Sequence, residues 1–163
     1  MHVAQINVGR LRAPVDSPLV TEFMAALDPI NAQAEQSPGF VWRFQTDEGN
    51  ATAVRPYEDE DILINLSVWE SIEALEAFVY RSDHTAYLRR RREWFGRMDE
   101  AMLTLWWVPA GTLPTLDEAV ARLDHLRAYG PTPHAFTFRQ RFPAPPTVDG
   151  ACSPESSRSS VGS

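Results

Sequence analysis

The chain opens on a period-two pattern. Within His2–Val8, the residues Ala4, Ile6 and Val8 share one side, and Val3, Gln5 and Asn7 the other. Such alternation predicts a strand with two unlike faces, here one apolar and one mixed. Arg10 to Pro18 is rich in breakers, and Ser17-Pro18 has the form of an N-cap followed by a first-turn proline. Leu19, Phe23, Met24, Leu27 and Ile30 then recur at helical spacing. Asp28-Pro29 predicts a kink or restart in that helix, and Ser37-Pro38-Gly39 its end. Phe40–Gln45 alternates again, with Phe40, Trp42 and Phe44 on one face. Residues 47–61 hold six acidic residues and one arginine, with Gly49, Asn50 and Pro56, and read as a polar connection with a short strand at Ala51–Val54. Ile62–Trp69 is apolar almost throughout, the pattern of a central strand buried on both faces.

In the second half, Ser71 caps a helix through Glu73–Phe78, and Ser82-Asp83 breaks or re-caps it before Thr85–Met98. Ala101–Val108 is a fourth strand. Thr115-Leu116-Asp117-Glu118 is a capping box for a helix through Ala119, Leu123 and Leu126, ended by Gly130-Pro131. Phe136–Phe142 alternates aromatic and polar residues and predicts a final edge strand. From Pro143 onward proline and serine dominate and large apolar residues vanish, which predicts a disordered tail over 143–163 behind a single domain over 1–142. The order βαββαβ, with an extra helix and strand, is an α+β, ferredoxin-like arrangement. Its helices cover one sheet face, yet Ile62–Trp69 and Trp106-Trp107 put large apolar groups on both. A second copy packed sheet to sheet, giving a homodimeric α+β barrel, is the simplest cover.

Composition narrows the chemistry. The 163 residues contain no lysine; all fifteen basic residues are arginine. A lysine Schiff base and a Walker-type phosphate loop are therefore excluded, and no Gly-x-Gly-x-x-Gly follows a strand. The single cysteine, Cys152, rules out an intramolecular disulfide and a cysteine-rich zinc site. A formal charge of −7 argues against a nucleic-acid partner. No apolar run is long enough for a membrane, and the start shows no basic, cleavable leader, so the expected location is the cytoplasm.

Tyr80, His84, Leu88 and Arg91 are spaced by four, four and three residues, and on a continuous helix they share one face. That face would combine a phenol, a general base in His84 and an anion clamp in Arg91. The alternative is a partly buried Tyr80 and His84 beside a solvated basic surface over Arg89–Arg92. Asn7, Asn65 and Ser67 interrupt apolar strands; Asn65 either aims its amide at an oxyanion or makes a cross-strand bond. Trp42, Trp69, Trp94 and Trp106 are candidate walls of a cavity for a flat aromatic ligand, with Trp106 and Trp107 on opposite faces of their strand. His2, His125 and His134 form no metal-binding pattern, so no metal is expected.

The order of elements resembles the dimeric α+β barrel of antibiotic-biosynthesis-monooxygenase-like proteins. Within that superfamily, Phe78-Val79-Tyr80-Arg81-Ser82-Asp83-His84 and Leu88-Arg89-Arg90-Arg91-Arg92-Glu93-Trp94-Phe95 are similar to a bacterial family known only as a domain of unknown function. So are Leu105–Gly111 and Gly130-Pro131-Thr132-Pro133 before Ala135–Phe138. The superfamily includes cofactor-free quinone-forming monooxygenases, haem-degrading oxygenases, muconolactone isomerases, polyketide cyclases and plain binding proteins. The resemblance therefore implies a monooxygenase-like or cyclase/isomerase-like enzyme without a nucleotide cofactor, acting on an aromatic or polyketide-type small molecule. A haem protein with His84 as axial ligand and a non-catalytic ligand-binding module are the alternatives.

Overall fold

Strand β1 (His2–Arg10) runs through the middle of a four-stranded sheet, antiparallel to β3 (Ile62–Trp69) on one side and β4 (Leu103–Val108) on the other. Strand β2 (Phe40–Arg43) pairs with the outer side of β3, giving the order β2-β3-β1-β4. This computed structural model describes residues 1–14, 16–45, 61–82 and 84–147, except for the side chains of His84 and Tyr87. The expected strand at Ala51–Val54 and most of the expected tail lie outside the described residues.

The register sorts the sheet into two faces. Val3, Gln5, Asn7 and Gly9 stand opposite Trp69, Ser67, Asn65 and Leu63 of β3. On the other side, Trp107, Leu105 and Leu103 of β4 face Val3, Gln5 and Asn7. Because side chains alternate along a strand, these odd-numbered rows share one face. Over it lie α1 (Pro18–Gln36), α2 (Ile72–Arg81) and α3 (His84–Trp94). The even-numbered face is apolar at its centre apart from buried Thr104, and there Ala4, Ile6, Leu66, Val68 and Trp106 are buried with Ala119 and Leu123 of α4 (Leu116–Tyr129). Helix α4 thus covers the face for which the sequence pattern called up a second copy. Burying a leucine such as Leu123 contributes about 1.5–3 kcal/mol to the docking of this extra helix.

The caps read from sequence are present at Ser71, whose Oγ accepts from the Ala74 N–H at 3.1 Å, and at Thr115, which accepts from the Glu118 N–H at 3.1 Å. Gly130 ends α4 at φ +74°, a conformation that favours glycine. Two expectations change, and one is met. Helix α1 continues through Pro29 without a restart, since buried Val20, Ala26 and Ala34 anchor it on both sides of the single lost backbone bond. The helix between residues 71 and 98 breaks where Ser82-Asp83 led us to expect it, with Ser82 as a C-cap in extended conformation, and its second part ends at Trp94. Phe136–Phe142 is not a strand: Phe136 exchanges both backbone bonds with Leu105, at 2.8 and 2.9 Å, and then the chain turns away. Thr137 Oγ1 accepts from the Gln140 N–H, a local turn bond that competes with ladder pairing.

Candidate functional site

The odd-numbered face and the three helices over it enclose a cavity of about 370 Å³, within the range of small-molecule sites. It extends from the Trp69 row to the Gly9 row, six residues along β1, or about 20 Å at the rise of a strand. Its polarity changes along that length.

At one end the walls are aromatic. Phe78 of α2 stacks on Trp69 at 5.2 Å between ring centroids, and Phe40 meets the same indole edge-on at 5.4 Å. In the middle, polar side chains form a bonded row on the floor. The Trp69 indole N–H donates to Ser67 Oγ (3.0 Å), and Gln5 Nε2 donates both to Ser67 Oγ (2.9 Å) and to Asn65 Oδ1 (2.6 Å). Buried polar atoms require such partners. Asn65 makes the cross-strand bond and is also the only exposed residue of β3, so its amide remains open to the cavity.

At the far end stands Arg91 of α3. Its guanidinium lies over the Phe95 ring at 4.8 Å, and its Nη2 approaches the Val8 carbonyl oxygen at 3.3 Å and Met102 Sδ at 3.5 Å. Among the described residues no carboxylate pairs with it. Its neighbour Arg90 points the other way and bonds Glu22 of α1 and Glu93. Burial lowers the Arg91 pKa from the ordinary arginine value, yet arginine keeps its proton at any physiological pH. A partly desolvated cation with only neutral acceptors is a site that an anion would complete.

Among the sequence-derived candidates, Asn65, Tyr80, Trp69, Trp94 and Arg91 border this cavity. Helix periodicity does not unite them. Tyr80 sits on α2 and Arg91 on α3, and tertiary packing brings both to the same space. Tyr80 is 53% exposed and meets Phe138 edge-on at 5.8 Å, so it forms the rim. His84 opens α3, but its side chain lies outside the described residues. Trp42 and Trp106 are elsewhere, on the even face with α4, where Trp106 is fully buried 5.9 Å from the Arg122 guanidinium. Their position follows from parity: Trp106 stands opposite Ala4, and a register shift after Phe40 turns Trp42 to the same face. Sequence reasoning missed Gln5, Gly9, Phe95 and Phe138. Gln5 alone left a signal, as the second polar residue on the side of β1 that carries Asn7.

Among the described residues no three histidine, cysteine, aspartate or glutamate side chains are grouped to hold a metal, and no helix is long and apolar enough to cross a membrane.

Residues 2–151 match the family described as "Domain of unknown function (DUF3291)". No curated protein matches the sequence significantly. Similar solved structures include a conserved protein from Methanosarcina mazei Go1 (16% identity, 67% of this chain and 94% of that one, TM-score 0.48). Another is SnoaB, a cofactor-independent oxygenase from Streptomyces nogalater (17%, 70% and 98%, 0.47). A third is a monooxygenase from the gene ActVA-Orf6 of Streptomyces coelicolor, in complex with Nanaomycin D (16%, 70% and 93%, 0.46).

Proposed function

The chain belongs to the DUF3291 family, whose name carries no activity, and from the cavity itself we propose an enzyme acting on a flat aromatic or polyketide-type acid, of the monooxygenase or cyclase/isomerase type and without a nucleotide cofactor. The observation that carries this reading is the graded cavity: aromatic at Trp69 and Phe78, amide-lined at Gln5 and Asn65, cationic at Arg91. An aromatic body fits the first part, a carbonyl or phenol oxygen meets the second, and an acidic group meets the third. Asn65 and Arg91 are donors aimed where negative charge would develop if the substrate lost a proton, which is how an enzyme stabilises an enolate or phenolate. Such an electron-rich intermediate is what attack on dioxygen and ring-closing or isomerising proton transfers have in common. His84 is the base we assign from sequence, and Tyr80 guards the entrance.

The test is turnover of a panel of anthrones, hydroquinones and aromatic polyketide acids, followed by oxygen uptake and product analysis. Wild-type protein is expected to convert at least one compound. Asn65→Ala, Arg91→Ala and His84→Ala are each expected to lower kcat/KM by roughly a hundredfold, the scale of a lost transition-state donor or base. Binding without conversion across the panel would reduce the protein to a ligand-binding module.

A further inference from the structure

At the cationic end of the cavity a side chain is missing where the strand pattern would place one. Gly9 stands on the odd face of β1 opposite Leu63. Its φ is not positive, so no turn or special backbone conformation calls for glycine there. What calls for it is space. A Cβ at this position would stand 2.6 Å from Phe95 Cδ1, 2.8 Å from Cε1 and 3.2 Å from Arg91 Nη2. The first two distances lie far inside van der Waals contact.

Phe95 has little freedom to retreat. It bridges Leu11 on the extension of β1, and its flanks are bonded to the same segment: the Arg12 N–H donates to the Trp94 carbonyl and the Gly96 N–H to the Arg10 carbonyl, both at 2.8 Å. Its ring also meets Phe23 of α1 edge-on at 5.0 Å. Arg91 rests on that ring and reaches the backbone of Val8, the residue before Gly9. The notch at Gly9, the Phe95 ring and the Arg91 guanidinium are therefore one packed stack, with each layer held by the one below.

We propose that Gly9 is a positioning residue, whose absent side chain seats Phe95 and Arg91 and so sets where the acidic group of an aromatic ligand docks. This rests on the reading of the cavity as a site for an aromatic acid. It adds that affinity for the acid depends on a residue that need not touch the ligand.

The experiment compares anthraquinone-2-carboxylate with its uncharged carboxamide by calorimetric titration. Wild-type protein is expected to prefer the carboxylate by about tenfold or more, the scale of a charge-assisted bond. Gly9→Ala should lose about tenfold for the carboxylate and less than about twofold for the carboxamide, because only the cationic end moves. A general loss of structure would instead weaken both alike, and that result would overturn the proposal. A second cycle guards against misfolding: with Phe95→Leu the ring atoms that the Cβ meets are gone, so adding Gly9→Ala should change the preference no further. If Gly9→Ala costs the same with Phe95 or Leu at position 95, the seat is not the cause. If wild type binds neither compound or shows no preference, the aromatic-acid reading falls and the seat with it. If wild type prefers the acid and Gly9→Ala keeps the same preference, only the seat falls.

Discussion

Arg91 is a charge brought out of water, and no carboxylate among the described residues meets it. Its contacts, the Val8 carbonyl oxygen, Met102 Sδ and the Phe95 ring, are neutral, and they do not replace the hydration of a guanidinium. Folding therefore bears a cost that binding of the proposed acid would recover. Arg91→Met keeps the apolar stem over Phe95 and removes the charge. Thermal melts should show the ligand-free variant more stable than wild type by about 1 kcal/mol, or roughly 2–4 °C in a chain of this size. The gain should be flat across the neutral range, because a base whose pKa is lowered by burial carries its penalty wherever it is still charged. The variant should also lose the preference for an aromatic acid over its amide. A lower melting temperature would mean that the contacts to Val8 and Met102 outweigh desolvation, and that Arg91 is a structural residue.

Helix α4 and the turn after it form a unit that the ferredoxin-like order does not require, and it contains a proton-sensitive contact. Arg122 of α4 donates to the His134 carbonyl oxygen at 2.8 Å, stands 3.0 Å from His134 Nδ1, and pairs with Glu118 at 3.0 Å. The His125 and His134 rings lie 4.6 Å apart. Burial, then the Arg122 and His125 charges, lower the His134 pKa below its usual 6.5, and Glu118 opposes them. With the folded value depressed, the unfolded chain binds more protons in the window below 6.5. Stability present above that pH is therefore lost as pH falls through the folded value. Urea unfolding at stepped pH should show this decline, and His134→Gln should flatten it; an unchanged slope would assign the decline to other groups. This unit also marks how far sequence reading reaches. Its capping box at Thr115 and its stop at Gly130 are local and were legible, as were the alternation of β1 and the buried run of β3. The face that α4 covers, the turn that ends pairing after Phe136, and the register that sends Trp42 and Trp106 away from the cavity depend on distant partners. Asn65 and Arg91 were legible as polar or charged residues in suggestive places. Gly9 was not, because a missing side chain acquires meaning only when Phe95 is seen above it.

The whole molecule carries helices on both faces of one sheet, and this constrains how two copies can meet. A closed barrel made by pairing bare sheets needs the even face free, but Ala119 and Leu123 of α4 are fully buried there with Ile6, Leu66 and Trp106. Arg127 ties the far end of the helix to the Ala101 carbonyl oxygen at 3.0 Å and to Glu100 at 3.5 Å. We expect a homodimer of this chain to keep α4 in place and to join through another surface. Leu123→Ala separates the two arrangements. It leaves a cavity under the helix at a cost of about 2–5 kcal/mol, so the melting temperature should fall clearly. Because the substitution lies inside one protomer, the mass measured by light scattering should equal that of wild type at temperatures where both remain folded. A change in that mass on substituting Leu123 would put the even face in the interface after all, with α4 as the element that two copies displace or share.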